Sequence, residues 1–220
     1  MKEEGVRLLD PDDEVVERII QQHEEELDYC DKVLYRRCIE DFEKVNLCEL
    51  TEEQVKGPIK VFLINWGMLS GVLERDGKKG WEKRLLNVFK EHCKTLEKFR
   101  KLKLEEEDLS KFKEDIKQCY EAIRSEVGPT GASKVLHLIN PEFFPMWDEK
   151  IRKKVSCEYK KLTRKRIGES GEGYYKFMNA IQELLLKKKE LWTKWSEKTG
   201  KSKLRIIDIY LWWEVNKDES

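Results

Sequence analysis

Apolar side chains recur at steps of three and four residues through most of this 220-residue chain, and this spacing constrains its fold more than any other feature. A period near 3.6 places such residues on one face of an α-helix. No stretch shows the alternation typical of a strand. The sequence therefore predicts an all-α fold, a compact multi-helix bundle of roughly eight to ten helices. The clearest helical series are Trp81, Leu85, Val88, Phe89, His92, Leu96, Phe99 and Ile116, Tyr120, Ile123, Val127.

Capping residues and helix breakers predict where several helices begin and end. Asp10 can cap a first helix in which Pro11 takes the first helical position. The segment 51–54, Thr-Glu-Glu-Gln, has the pattern of a capping box. Segment 160–173 is charged and contains glycines, which predicts an exposed loop. Segment 174–195 resumes the helical pattern, and we expect one continuous helix there.

Charge is unevenly distributed along a chain whose formal net charge is zero. Residues 1–127 carry 24 basic and 31 acidic side chains, a net charge of −7, whereas residues 128–220 carry 20 and 13, a net charge of +7. We therefore expect a single helical domain, 1–220, with an acidic N-terminal lobe and a basic C-terminal lobe. The basic lobe suits a polyanion, although lysines that only solvate helix faces would give the same count.

The cysteines and the hydropathy pattern bear on compartment and cofactors. Six cysteines occur without a CxxC pair, and the three histidines are scattered, so we expect no metal and no cofactor. We expect each cysteine to be a buried, reduced thiol, which fits a cytoplasmic protein. No window approaches the length of apolar sequence that spans a bilayer, and the chain begins without an apolar signal segment. Its abundance of Lys and Glu is typical of proteins from hyperthermophiles.

One segment stands apart from the helical pattern. Residues 127–136, Val-Gly-Pro-Thr-Gly-Ala-Ser-Lys-Val-Leu, join two helices through a turn rich in glycine and proline. Residues 143–148, Phe-Phe-Pro-Met-Trp-Asp, follow after a short helix. Such a turn can take positive φ and direct successive backbone N–H groups at a phosphate. A tight connection without a ligand is the alternative interpretation.

These residues resemble the helix-hairpin-helix DNA glycosylase superfamily. Val127-Gly128 matches that family's Val-Gly, Ala132 its alanine and Asp148 its catalytic aspartate. The resemblance covers about thirty residues. Segment 131–148, with its Gly-Ala-Ser-Lys-x-Leu-His and Asn-Pro-x-x-Phe-x-x-Trp-Asp patterns, is also typical of a group of helical proteins of unknown function, which would be a distant branch of the superfamily.

The chain departs from the family pattern at two informative positions. Glu126 stands where the hairpin has its first glycine, and Thr130 where members with lyase activity have a Schiff-base lysine. The resemblance therefore implies the monofunctional type, a hydrolase of DNA repair that cleaves the N-glycosidic bond of a damaged base. It also implies a helix-hairpin-helix-like element and double-stranded DNA as the partner.

The resemblance assigns roles to particular residues. Asp148 would be catalytic, as the general base or as the stabiliser of a positively charged sugar. An aspartate there could instead only cap the helix that follows. The residues expected to hold the DNA backbone are Gly128, Thr130, Gly131, Lys134, Lys153, Lys154, Arg164 and Arg166. The residues expected to line a base pocket are Trp147, Phe144 and Trp66, which would otherwise be core side chains.

Two other classes of function stay open. The chain could be a non-catalytic nucleic-acid-binding protein that keeps the scaffold without the chemistry. It could also be a helical protein-interaction module in which the hairpin resemblance is accidental. Salt-sensitive binding to duplex DNA separates the first of these from the second.

Overall fold

The computed structural model describes residues 8–26, 30–67, 69–73 and 79–217, excluding the side chains of Cys30, Asp31, Lys32, Trp66 and Val72. The described residues form helices and connecting segments without a strand, which confirms the all-α prediction. The α-helices are α1 Asp13–Glu26, α2 Arg36–Glu43, α3 Glu52–Gln54, α4 Ser70–Leu73, α5 Trp81–Phe99, α6 Lys113–Ile139, α7 Glu149–Thr163, α8 Gly171–Lys187, α9 Lys189–Thr199 and α10 Lys203–Asn216. Wider π-helical turns, Cys30–Tyr35, Val55–Ile59 and Phe62–Trp66, and the 3₁₀ turns Leu47–Glu49 and Leu109–Phe112 complete the helical structure.

Some predicted helix ends are confirmed and others are wrong. The capping box is present, since Thr51 and Gln54 each bond the other's backbone N–H. The first helix begins at Asp13, and Asp12 rather than Asp10 accepts the backbone N–H of Glu14 at 2.9 Å. The predicted loop 160–173 is shorter because α7 continues to Thr163. The predicted helix 174–195 is divided at Lys188, whose φ of −120° is outside the helical range.

The core is built around α6, which packs against α5 on one side and α8 on another. The apolar residues of the two series predicted to face inward are mostly buried, including Leu85, Phe89 and Ile116. Phe99 of α5 stacks on Phe143 at 5.5 Å between ring centroids, so the segment after α6 closes this side of the core. The chain that leads to Asp148 is therefore anchored by buried aromatic rings on its N-terminal side.

Helix α1 places the acidic half of the chain against the basic half. Carboxylates at or near α1 meet lysines of α8, of α9 and of the segments that follow these two helices, in a row of four pairs with separations of 2.5–2.7 Å. Surface pairs of this kind contribute little stability each, but they neutralise the charge of the lysines involved. Much of the basic excess of residues 128–220 is therefore balanced within the protein. The pairs are Asp10–Lys187, Asp13–Lys188, Glu17–Lys194 and Glu24–Lys201.

The expectation that every cysteine is a buried, reduced thiol is wrong. The turn Leu47–Glu49 packs on α5, which places Cys48 opposite Cys93 with 4.9 Å between Cα atoms, and the two form a disulfide. Cys38 and Cys119 are buried and free, as expected, whereas Cys157 is free and exposed. The state of the cysteines therefore does not indicate a reducing compartment.

No helix in the described part of the chain has the length and apolar character needed to cross a bilayer.

Candidate functional site

The Gly-Pro-Thr-Gly segment bends α6 sharply at Gly128. This glycine has φ 77° and ψ 174°, a conformation that is essentially restricted to glycine. The carbonyl that follows, of Pro129, accepts the indole N–H of Trp147 at 3.1 Å and the hydroxyl of Tyr120 at 3.3 Å. Gly131 has a different role, because a Cβ there would lie 2.9 Å from the Cβ of Val127. The predicted interruption is confirmed, and its second glycine permits close packing in the core.

The second part of α6 positions the segment that ends at Asp148. The Ser133 hydroxyl donates to the Trp147 carbonyl at 3.0 Å and accepts the Trp147 backbone N–H at 3.2 Å. A buried serine that bonds both backbone groups of one residue fixes that residue's position along the helix. Asp148 is the next residue, so its location beside α6 follows from this pair of hydrogen bonds.

Asp148 caps α7, which confirms the prediction that this aspartate could cap the helix that follows it. Its Oδ1 accepts the backbone N–H of Ile151 at 2.7 Å, and its side chain is part-exposed. The other carboxylate oxygen has no hydrogen-bond partner among the described residues. Capping therefore occupies one oxygen and leaves the second free to bind a water molecule or to face a positive charge. The capping role and a catalytic role are compatible in this geometry.

Lys134 points into the protein rather than toward solvent. Its Nζ donates to the Gly67 carbonyl at 3.0 Å, which joins the apolar segment 62–67 to the second part of α6. Burial lowers the pKa of the Lys134 ammonium to about 8, and the nearby carboxylates of Asp208 and Asp148 oppose that shift. The prediction that Lys134 holds a DNA phosphate remains a prediction. In this conformation its amine is engaged inside the protein.

Helix α10 supplies the other charges of the cluster. Arg205 and Asp208, one turn apart, form an ion pair in which both side chains are almost completely buried. Burial raises the pKa of Asp208, and the positive charges of Arg205 and Lys134 oppose the rise. Asp148 adds a further negative charge that also raises it. Two cations and two carboxylates are thus brought together from α6, α10 and the start of α7. We call Lys134, Asp148, Arg205 and Asp208 the charged cluster.

His137 lies one turn beyond Lys134 and is completely buried. Its Nδ1 is 2.8 Å from the Phe144 carbonyl, so this nitrogen carries the proton and donates it. Its Nε2 is 2.7 Å from the hydroxyl of Tyr35 and therefore accepts that hydroxyl's hydrogen. The guanidinium of Arg205 lies 5.0 Å from the centre of the Tyr35 ring. The histidine is held in one neutral tautomer beside the charged cluster.

The aromatic residues predicted to line a base pocket are placed differently. Trp147 and Phe144 are both completely buried, and Trp147 packs against Tyr120 and Tyr174. Neither ring is open to a ligand in this conformation. The side chain of Trp66 lies outside the described part of the structure.

The basic residues predicted to contact DNA fall into two groups. Lys153 is exposed and pairs with Glu149 on its own helix. Lys154, Arg164 and Arg166 are exposed and form no ion pair with any described residue. Arg164 ends α7 in the left-handed conformation, with φ 61°. Exposed basic residues without a described ion pair occur from the middle of α7 to the segment just after it, in contrast to the lysines that α1 neutralises. We call Lys154, Lys160, Lys161, Arg164, Lys165 and Arg166 the basic tip.

The sequence identifies two residues of the charged cluster, Lys134 and Asp148, but not the two on α10. Asp208 stands between two isoleucines in an apolar helix. An acidic residue in such a position needs a buried partner, which is the signal that could have drawn attention to Arg205. Tyr35 carried no comparable signal. No group of three or more residues suited to metal binding occurs in the described ranges.

Comparison with known proteins gives a family without a described activity. Residues 83–215 match the model of DUF6308, whose description is a family of unknown function. The match includes α6, α7 and α10 and hence the whole charged cluster. No curated protein and no solved structure matches the chain significantly.

Proposed function

Because the chain belongs to the DUF6308 family, whose description names no activity, we propose from its geometry that it binds duplex DNA and hydrolyses the N-glycosidic bond of a damaged base. One observation carries this proposal. The bend at Gly128 and the start of α7 bring the Lys134 amine together with the carboxylates of Asp148 and Asp208. An amine and two carboxylates in one partly enclosed site can stabilise positive charge on a sugar and move protons.

The proposed reaction assigns separate tasks to the charged cluster. The free oxygen of Asp148 binds the attacking water and faces the sugar as positive charge develops on it. The water oxygen forms a bond to the sugar C1′ while the bond from C1′ to the base nitrogen breaks. Asp148 takes one water proton. The Lys134 ammonium leaves the Gly67 carbonyl, turns toward the sugar and donates a proton to the departing base. Asp148 then returns its proton to Lys134, so the products are a free base and an abasic site.

The basic tip supplies the DNA contact in this proposal. Its six residues are exposed, and none forms an ion pair with a described residue. Guanidinium and ammonium groups of this kind bind phosphates without reading sequence. Helix α7 is 15 residues long, so the five residues of the basic tip from Lys160 to Arg166 lie about 20 Å from Asp148 along the helix axis, whereas Lys154 lies about 9 Å from it. Duplex DNA that contacts both would lie along α7.

The DNA contact predicts a specific salt dependence. A variant with Lys154, Arg164 and Arg166 changed to Gln should bind duplex DNA more weakly, and its slope of log affinity against log salt should fall by up to about 3, because each lost phosphate contact removes about one counterion. The matched control changes Lys83, Lys90 and Lys94, three exposed lysines of α5, to Gln. Equal loss in both variants would contradict a DNA site at the basic tip.

The chemistry predicts that Asp148→Asn greatly slows base release while the fold is retained. Asn caps a helix as well as Asp does, so the substitution removes the negative charge and leaves α7 intact. We expect the rate of base release from a panel of damaged duplexes to fall about 10²- to 10⁴-fold. Asp108→Asn, at another capping aspartate, should retain the wild-type rate. Undiminished release by Asp148→Asn would rule out its catalytic role.

A second candidate function is non-catalytic binding of nucleic acid. It is favoured by the location of the basic tip, which is separate from the charged cluster and needs no chemistry to bind phosphate. In that case the salt dependence would be observed without release of any base by the wild-type protein.

A further inference from the structure

Trp212 differs from the other tryptophans of the described residues. Trp81, Trp147, Trp192 and Trp195 are buried, whereas the side chain of Trp212 is 49% exposed. Exposing a large aromatic ring to water is unfavourable, and such rings are enriched where proteins bind partners. Among the described residues, only two other large apolar side chains are comparably exposed. Trp212 is therefore a candidate for contact with a ligand.

The spacing along α10 places Trp212 next to the charged cluster. Trp212 follows Asp208 by four residues and Arg205 by seven, so the three side chains share one face of the helix. Arg205 and Asp208 are almost completely buried and Trp212 is not. This face of α10 thus runs from the interior, through the charged cluster, to the surface.

A second connection places Trp212 beside the first turn of α7. Asn216, one turn after Trp212, accepts a hydrogen bond from Lys150 Nζ at 2.8 Å. The Asn216 amide also donates to the Trp212 carbonyl at 2.7 Å. Lys150 follows Asp148 by two residues. The helical spacing and the Lys150–Asn216 hydrogen bond therefore place Trp212 on the side of α10 that faces the first turn of α7, one turn after Asp208.

The neighbouring tryptophan supports the orientation of the exposed ring. Trp213 is partly buried against the core, and its ring meets that of Trp212 edge-on, with 6.2 Å between centroids and 79° between planes. A T-shaped contact with an anchored ring restricts the motion of an otherwise exposed side chain. Lys153 and Lys154, on the next turn of α7, are exposed and would attract phosphates beside the indole.

We propose that Trp212 is the stacking surface for an unpaired nucleobase at the entrance to the charged cluster. This proposal rests on the proposed function, since it takes DNA as the ligand. A base displaced from the duplex would stack on the indole, with its sugar directed toward Asp148 and its flanking phosphates toward α7. The completely buried Trp147 and Phe144 are not needed for base contact.

The test uses the full chain and a DNA duplex containing one unpaired 2-aminopurine, whose fluorescence is quenched when the base stacks on an aromatic ring. The wild-type protein should quench this fluorescence and bind the duplex about tenfold more tightly than Trp212→Ala does. Trp212→Phe should retain most of both effects because it keeps an aromatic face. Leu186→Ala, at another exposed apolar residue, should match the wild-type protein.

The outcomes separate this inference from the proposed function. A fully paired duplex should bind Trp212→Ala and wild-type protein with the same salt slope, because the indole contacts no phosphate. Salt-sensitive binding with equal quenching by the wild type and Trp212→Ala would overturn the stacking role alone. Failure of the wild-type protein to bind either duplex at low salt would overturn both proposals.

Discussion

We expect the protein to lose stability steeply as the pH falls below about 6.5, the ordinary pKa of histidine, because His137 must stay neutral when folded. Burial lowers the pKa of His137 to about 3, and the positive charges of Arg205 and Lys134 act in the same direction. The hydrogen bond to the Phe144 carbonyl raises the pKa of His137, but it offsets only part of the decrease.

The sign follows from proton uptake by the two states. Between pH 6.5 and 3 the unfolded chain binds a proton at this histidine and the folded chain does not, so the free energy of unfolding decreases as the pH falls. The full difference corresponds to about 5 kcal/mol, a large part of the stability of an ordinary domain. The slope attributable to His137 should approach about 1.4 kcal/mol per pH unit between pH 5.5 and 4.

Urea unfolding at several pH values would measure this effect. His137→Asn should remove that part of the slope, because the amide cannot accept a proton in this range yet can still donate to the Phe144 carbonyl. It should also cost stability at pH 7.5 through loss of the Tyr35 hydrogen bond. His92→Asn makes the same change at a part-exposed histidine of α5. A wild-type slope in His137→Asn would contradict the prediction.

Local features of this fold were predictable because they depend on neighbours in sequence. The capping box at Thr51 and the bend at Gly128 both follow from residue types within four positions of each other. The predicted first cap, Asp10, is wrong, because residues 10–13 contain three aspartates and any of them could cap the helix. Whether Asp148 caps a helix could be predicted, whereas the nearby charges that act on it could not.

The charged cluster and the disulfide depend on packing between distant segments. Lys134 and Asp208 are 74 positions apart in the sequence. They come close because α10 packs against α7, whose start lies beside the second part of α6. Cys48 and Cys93 are 45 positions apart and meet only because a short turn lies on α5. No spacing rule connects such pairs, since the path between them includes several helices. The ion pairs between α1 and the lysines of residues 187–201 could not be predicted for the same reason.

The second large effect that we expect is a Lys134 ammonium that titrates near pH 8 while the ordinary lysine value is 10.5. Burial causes the shift because the enclosed amine loses solvation when charged. At pH 7.5 about a quarter of Lys134 would then be uncharged, against about one part in a thousand for an ordinary lysine. The unfolded chain holds this proton up to about pH 10.5, so the free energy of unfolding should rise between pH 8 and 10.5.

Substitution of the neighbouring carboxylates should move this pKa in a known direction. The negative charges of Asp208 and Asp148 stabilise the ammonium, so Asp208→Asn and Asp148→Asn should each lower the pKa of Lys134 further. The effect of Asp208 should be the larger. Asp108→Asn should leave it unchanged. Heteronuclear NMR of the lysine side chains, assigned with Lys134→Arg, would measure these shifts. If Lys134 titrates with the other lysines, its amine is not enclosed, and the charged cluster cannot exchange protons near neutral pH as the proposed reaction requires.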